Sequence, residues 1–127
     1  LNLLENVTLI GWVDNKIIDS YYQLFDAVIV PSRWEGFGLV AIEAMKNYKA
    51  LIVSNRGALP ELVVDGHNGY IFNMENEDSL LSILSTINKR DLKDMGENGH
   101  CIFKQKFTSN YMNKRIIDLY CYLLKDT

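Results

Sequence analysis

Two glutamates, Glu35 and Glu43, stand in a segment whose other residues are mostly apolar or glycine. From Phe37 to Met45, Glu43 is the one residue that is neither. A helix that is apolar nearly all round is typically buried, and a buried carboxylate is costly unless it is paired. Glu43 therefore needs a partner, and a carboxylate suits a vicinal diol such as a ribose. The alternative stays open that Glu43 lies on an exposed edge and that Glu35 only favours the helix start through the dipole.

A strand, a glycine loop and a helix position these two carboxylates. The run Asp26–Val30 is short, apolar and β-branched, which predicts a strand buried on both faces of a parallel sheet, and it stops at Pro31. Gly36 and Gly38 follow in a loop, and Leu39–Lys46 is compatible with a helix. This order directs free backbone N–H groups and the positive end of the helix dipole towards one place, which favours an anion such as phosphate. The glycines would let a ligand approach the backbone closely.

Two motifs resemble those of a known family. The run EGFGLVAIEA, with seven residues between its first and last glutamates, resembles the E-x7-E motif of retaining glycosyltransferases of the GT-B fold, family four in particular. The run NRGALPELVVDGHNGYIF resembles the G-G/A-x-P-E segment of the same family and the strand after it. The resemblance extends from about Asn6 to Tyr120, and it implies transfer of a sugar from a nucleotide-diphosphate donor.

The resemblance assigns roles within the first motif. It implies that Glu35 is catalytic, beside the hydroxyls and the anomeric centre of the donor sugar. It implies that Glu43 binds the ribose hydroxyls, in agreement with the argument from burial. The backbone donors to the sugar and the diphosphate would be Gly36, Phe37, Gly38 and Leu39.

The resemblance also assigns residues outside that motif. Gly57, Pro60 and Glu61 match the turn that shapes the floor of the donor cleft, a structural role before a catalytic one. Val13 and Trp12 match a corner that touches the nucleobase, although Trp12 is equally compatible with ordinary packing. Ala58 stands where many relatives have a second glycine.

Composition limits the class of protein. The chain has 127 residues and a net charge of −3, which fits one globular domain spanning residues 1–127 and argues against a nucleic-acid partner. The sequence contains neither a run long enough to span a membrane nor a signal peptide, so we expect a cytoplasmic protein, with the parent associated with the inner face of the membrane. Cys101 and Cys121 lack metal-type spacing and are interpreted as reduced core thiols.

The remaining pattern predicts an α/β fold. Further strands are predicted at Val7–Gly11, Ala50–Ser54 and Tyr70–Phe72, with helices at Ile17–Phe25 and Pro60–Val64. Three apolar stripes after residue 76 predict helices that cover the sheet, the second interrupted by Gly96 and Gly99 and the third capped by Thr108 or Ser109. The two tyrosines of the Ile17–Phe25 helix are interpreted as core residues. Arg56, at the carboxyl end of a strand, is either a phosphate contact or a solvated loop residue.

The predicted fold class is a three-layer, Rossmann-like partial domain with about four parallel strands, matching the third to sixth strands of the family's donor domain. Since the chain begins at Leu1, we expect an excised piece that lacks the first two strands and the N-terminal acceptor domain. That would leave a gap beside the strand at Ala27–Val30. The predicted consequence is that Val7–Gly11 pairs directly with Ala27–Val30, or that the exposed edge pairs with a second copy.

The predicted function is that of a donor-binding half-domain of a retaining glycosyltransferase that uses no metal and no cofactor. The donor would be a UDP- or GDP-sugar, and the acceptor a glycan or glycolipid bound by the missing domain. The isolated chain is expected to be inactive. A non-catalytic binding or interaction module on the same fold remains an alternative, as does an epimerase- or phosphorylase-like relative, although neither Lys46 nor Lys49 has the context of a pyridoxal-binding lysine.

Overall fold

Three parallel strands form the sheet, in the order β1-β2-β3. The computed structural model describes residues 5–125, and its strands are β1 (Ala27–Val30), β2 (Ala50–Ser54) and β3 (Gly69–Phe72). Ala27 lies opposite Ala50, and Leu51 lies opposite Gly69. Every residue of β2 is buried because this strand is central. These three strands agree closely with the predicted ones.

Six helices accompany the sheet in the described part of the chain. Their order follows the pattern of a parallel sheet, in which each strand is connected to the next through a helix. They are α1 (Ile18–Tyr22), α2 (Leu39–Lys46), α3 (Leu59–Leu62), α4 (Glu77–Thr86), α5 (Lys89–Lys106) and α6 (Ser109–Lys125).

The core lies mainly on one face of the sheet. There the side chains of Val30, Leu51 and Val53 pack with α2 and α3 into one apolar cluster. A smaller cluster on the opposite face contains Ala50 with Leu92 and Met95 of α5. Alternate residues of β2 thus reach the two clusters, as the period of a strand requires.

Helix α5 contributes to both clusters. Its first half carries Leu92 and Met95, while Ile102 and Phe103 of its second half pack against the larger cluster. Between the two halves, a Cβ added at Gly96 would lie 2.1 Å from the carbonyl oxygen of Tyr48. The sequence suggested that these glycines interrupt the helix, but the helix is continuous through them. They let it pass closely beneath the connection from α2 to β2.

The predicted strand at Val7–Gly11 is wrong. Residues 7–14 have no regular secondary structure, and Leu9 is 93% exposed. A strand needs a hydrogen-bonded neighbour, and among residues 5–125 β1 pairs only with β2. Direct closure of the sheet by Val7–Gly11 is therefore also wrong. Pairing of the free β1 edge with a second copy stays a prediction.

Three expectations about burial are corrected. Ile29 is 41% exposed, so β1 is not buried along the whole of both faces, although Ala27 on the same face packs against the smaller cluster. Helix α4 contacts β3 but has no buried residue, and residues 109–124 of α6 are all exposed, so α6 does not cover the sheet as predicted. Cys101 and Cys121 are free thiols, but they are exposed and do not belong to the core.

Helix boundaries agree with the prediction for α2 but not for α1. Helix α1 is shorter than the predicted Ile17–Phe25, and α2 begins and ends as predicted. Thr108 caps α6, since its Oγ1 accepts a hydrogen bond from the N–H of Tyr111 at 3.3 Å. Within residues 5–125, no helix combines the length and the apolar character that spanning a membrane requires.

Candidate functional site

Three loops meet at the carboxyl ends of the strands, which is the edge where parallel α/β sheets bind ligands. Ser54 donates from its Oγ to the carbonyl of Ser32 at 2.6 Å, joining the end of β2 to the loop after β1. The N–H of Met74 donates to Asn55 Oδ1 at 3.1 Å, joining the loops after β3 and β2. A cleft of about 590 Å³ lies among them, lined by Arg33, Trp34, Asn55, Arg56, Gly57, Met74 and Glu75.

The two sequence motifs are in direct contact at this edge. The N–H of Ala58 donates to the carbonyl oxygen of Glu35 at 3.0 Å. Gly57 has a φ of +57°, and a Cβ added there would lie 2.1 Å from the same oxygen. The turn after β2 thus supports the backbone of the loop after β1. The separate runs read from the sequence form one structural unit.

The side chain of Glu35 caps α2. Its Oε1 accepts a hydrogen bond from the N–H of Gly38 at 3.0 Å, and the residue is half-buried. Gly38 is the N-cap position and has no side chain with which to cap the helix itself. The second carboxylate oxygen of Glu35 has no hydrogen-bond partner among the described residues. Glu35 therefore stabilises the helix start and still has an oxygen available for a ligand.

The glycines of the loop have different reasons to be glycine. Gly38 is buried with a φ of +85°, and a Cβ there would lie 2.6 Å from Leu62 Cδ1. Gly36 is exposed, and no atom lies within 4 Å of an added Cβ. The fold therefore requires Gly38, whereas Gly36 leaves open space beside the backbone. Phe37 and Leu39 are 58% and 63% exposed.

Glu43 is exposed, so the argument for a buried carboxylate is wrong and the alternative of an exposed position is confirmed. Helix α2 buries Ala41, Ile42, Ala44 and Met45 but leaves Val40 half-exposed at 48%. The apolar pattern overstated burial because one side of the helix has no neighbour among residues 5–125. Glu43 nevertheless has a partner, since the hydroxyl of Tyr22 donates to its Oε2 at 3.2 Å.

The remaining candidates lie around this arrangement. Arg56 lines the cleft and forms an ion pair with Glu75, and its contact with a phosphate stays a prediction. Val13 is half-buried and Trp12 is 85% exposed in the irregular segment before α1, and their contact with a nucleobase stays a prediction. Pro60 and Glu61 lie in α3, with proline in the first turn.

Sequence reasoning missed two residues. Arg33 lies in the cleft and has no hydrogen-bond or ion-pair partner within the described chain. The feature of the sequence that could have indicated Arg33 is its position after β1, just before Glu35. Tyr22 was interpreted as a core residue, and it is one, but it also touches Glu43. Among residues 5–125, no group of three or more His, Cys, Asp or Glu side chains is arranged to hold a metal ion.

The fold and the edge described here are those of the C-terminal, Rossmann-like domain of GT-B proteins. A sucrose-phosphate synthase from Thermosynechococcus elongatus superposes with a TM-score of 0.87 at 28% identity, over 99% of this chain and 32% of its own. HepE from Anabaena, solved in complex with UDP, superposes with a TM-score of 0.83 at 27% identity, over 94% of this chain and 33% of its own.

The family follows from the sequence match. The model of the family "Glycosyl transferases group 1" matches residues 1–100, and the chain belongs to this family. A glycosyltransferase from Methanocaldococcus jannaschii is 38% identical over 109 residues, 84% of this chain and 31% of that protein. The capsular polysaccharide biosynthesis glycosyltransferase CapM from Staphylococcus aureus is 30% identical over 124 residues, 96% of this chain and 32% of that protein. The chain thus spans about a third of the length of these relatives.

Proposed function

We propose that this chain supplies donor-binding residues to a glycosyltransferase that transfers a sugar, with retention at the anomeric carbon, from a nucleotide-diphosphate sugar to a glycan or glycolipid acceptor. The observation that carries this proposal is the geometry around α2. Glu35 precedes the helix, Gly36 exposes the loop backbone, and Glu43 lies on the exposed side one turn further on. Membership of the family and the polysaccharide role in the name of CapM support the reaction class.

The diphosphate would lie at the start of α2. Helix N-termini leave backbone N–H groups without partners inside the helix, and the dipole adds positive potential there. Gly38, at the N-cap, has no side chain of its own, but its N–H is already bonded to Glu35 Oε1, so the donors left for the diphosphate are those of the residues after it in the first turn. Negative charge would develop on the departing diphosphate in the transition state. Donors that are already in position would stabilise this charge and so lower the barrier.

The two carboxylates would have separate roles. The free oxygen of Glu35 would hold a hydroxyl of the donor sugar near the anomeric centre, and Glu43 would accept hydrogen bonds from the ribose. No metal or cofactor takes part in this proposal. Because the chain spans about a third of its relatives, we propose that the acceptor site and the complete transfer reaction need parts of the protein beyond this chain.

The test is nucleotide binding, measured by ligand-observed NMR with UDP, GDP and their sugars. UDP is the first ligand to try, because HepE was solved with it. We expect saturable binding of one base, weakened about tenfold or more in Glu43→Ala, because hydrogen bonds to a charged group contribute about 1.5–3 kcal/mol. The matched control is Glu97→Ala, which removes an exposed glutamate from α5 and should leave the affinity unchanged.

Two results would contradict the proposal. If the chain shows the dispersed amide spectrum of a folded domain and binds none of these ligands, it does not supply donor affinity. If Glu43→Ala and Glu97→Ala bind as tightly as the parent chain, Glu43 does not contact the nucleotide. Binding without transfer to any acceptor would agree with the proposal that the chain alone is inactive.

A further inference from the structure

Tyr22 connects the core of the domain to an exposed carboxylate. Its side chain is only 5% exposed, yet its hydroxyl donates to Oε2 of Glu43, which lies on the outer side of α2. We propose that Tyr22 is a positioning residue that fixes the Glu43 carboxylate and leaves its other oxygen free for a hydroxyl of a nucleotide ribose. This inference rests on the proposed function for the identity of the ligand.

The ring of Tyr22 is held in place by packing. It packs edge-on against Phe25, with ring centroids 6.2 Å apart and planes at 79°, and it belongs to the larger apolar cluster. A buried aromatic side chain has few alternative rotamers. An exposed glutamate, by contrast, has three side-chain torsions that are free to rotate. The hydrogen bond therefore restricts the motion of the Glu43 side chain, because the donor is fixed in the core.

A second set of contacts fixes the spacing between α1 and α2. Asp19 accepts hydrogen bonds from Lys46 Nζ at 2.8 Å and from Asn47 Nδ2 at 2.9 Å. The same Nδ2 group lies 3.0 Å from the carbonyl oxygen of Glu43. The hydrogen bond from Lys46, and after it the one from Asn47, lowers the pKa of Asp19. Tyr22 on α1 and Glu43 on α2 thus belong to two helices that these hydrogen bonds connect.

The direction of the hydrogen bond suits the role. Burial, and after it the negative charge of Glu43, raise the pKa of Tyr22 to about 12. The phenol is therefore a donor throughout the neutral range, and the carboxylate accepts. Oε1 of Glu43 has no partner within residues 5–125. A fixed acceptor loses less conformational entropy when a ligand hydroxyl binds it, so positioning should appear as affinity.

The first measurement needs no ligand. In chain labelled with ¹³C at glutamate, side-chain relaxation reports how ordered Glu43 is, with the exposed Glu97 as the internal reference. We expect Tyr22→Phe to lower the order of Glu43 to that of Glu97. The control Tyr21→Phe removes the adjacent hydroxyl, which makes no hydrogen bond in the described structure, and should change neither residue. Unchanged order at Glu43 in a folded Tyr22→Phe chain would overturn the inference.

The second measurement compares UDP with 2′,3′-dideoxy-UDP, or the GDP pair if guanine is the base that binds. We expect Tyr22→Phe to weaken UDP binding about three- to tenfold, the effect of one ordinary hydrogen bond, and to leave dideoxy-UDP binding unchanged. A purely structural role for Tyr22 would weaken both ligands equally and would overturn the inference.

The two measurements separate this inference from the proposed function. If the parent chain binds neither nucleotide, the proposed function fails and the ribose part of the inference fails with it. The relaxation measurement then decides independently whether Tyr22 orders Glu43. If UDP binds and Glu43→Ala weakens it while Tyr22→Phe does not, the proposed function stands and Tyr22 has no positioning role.

Discussion

The α-carbon of Gly57 lies directly against the backbone carbonyl of Glu35, so closely that a methyl group on Gly57 would come within 2.1 Å of the oxygen. The adjacent N–H of Ala58 donates to that oxygen at 3.0 Å. The position of Glu35 therefore depends on a turn that lies more than twenty residues further along the chain.

Gly57→Ala should destabilise the domain by more than the conformational penalty alone. A left-handed conformation costs a non-glycine residue about 1–2 kcal/mol, and here a collision with rigid backbone is added. The control is Gly66→Ala, with a similar φ of +75° but open space around it. Urea unfolding should show a clearly larger loss for Gly57→Ala. Equal losses would mean that the loop after β1 can move away at no cost.

Gly36→Ala and Gly38→Ala should separate binding from stability. Gly36→Ala should change the free energy of unfolding by less than about 0.5 kcal/mol, because its Cβ meets nothing, yet it should weaken nucleotide binding by obstructing the backbone. Gly38→Ala should lower stability by about 1–2 kcal/mol through its φ, and further by displacing Leu62. Unfolding curves and titrations on both variants check this. A Gly36→Ala chain that binds normally would exclude a close ligand approach there.

Gly96→Ala should destabilise the fold although alanine is the better helix former. Propensity alone would favour alanine by about 1 kcal/mol, but the new Cβ would meet the carbonyl of Tyr48 at 2.1 Å. Gly99→Ala is the comparison, because its Cβ would lie 3.3 Å from the flexible Met45 Cγ. Thermal unfolding should show a clear loss for Gly96→Ala and a small change for Gly99→Ala. Stabilisation by Gly96→Ala would contradict the close crossing.

Alkaline pH should reveal the environment of Tyr22. Its pKa is raised from 10.0 to about 12, mainly by burial, so the neutral phenol favours the folded state. This contribution is fully present below pH 10 and is lost as the pH rises through about 12. Between pH 10 and 12 the unfolding midpoint of the parent chain should fall more steeply than that of Tyr22→Phe. Tyr21→Phe should follow the parent, and parallel curves for all three would contradict the prediction.

His100 should carry its proton on Nδ1. This nitrogen lies 2.9 Å from the carbonyl oxygen of Lys46, which can only accept, and the ring stacks on Tyr48 with centroids 3.6 Å apart. Nitrogen-15 NMR should show that tautomer, with the exposed His67 as reference. His100→Phe keeps the stacking and should cost about 1 kcal/mol for the lost hydrogen bond, less than His100→Ala. Equal losses would assign the stabilisation to the hydrogen bond alone.

The sequence predicted those elements whose pattern is local. Helix α2 and the strands β1, β2 and β3 carry apolar runs with clear stop signals, and their boundaries agree with the structure within a residue or so. The strand at Val7–Gly11 has an equally good pattern, but it finds no hydrogen-bonding neighbour among the described residues. A strand depends on a partner as well as on its own composition, so single-strand patterns cannot decide it.

The sequence indicates candidate site residues but not their contacts. Glu35 and Glu43 were identified by spacing, whereas their partners came from far along the chain or from outside the motif. Neither the bond from Ala58 to the Glu35 carbonyl nor that from Tyr22 to Glu43 has a local signal. The burial of Glu43 was wrong because a pattern along one helix does not show which of its sides will meet another element.

Helix α5 has a consequence for the order in which the chain can fold as it is synthesised. Leu92 and Met95 complete the smaller cluster, and Ile102 and Phe103 join the larger one. Neither face of the sheet is therefore finished until the segment ending near residue 106 has left the ribosome. We expect β1, β2 and β3 to remain open to solvent and to chaperones until then, however early they emerge.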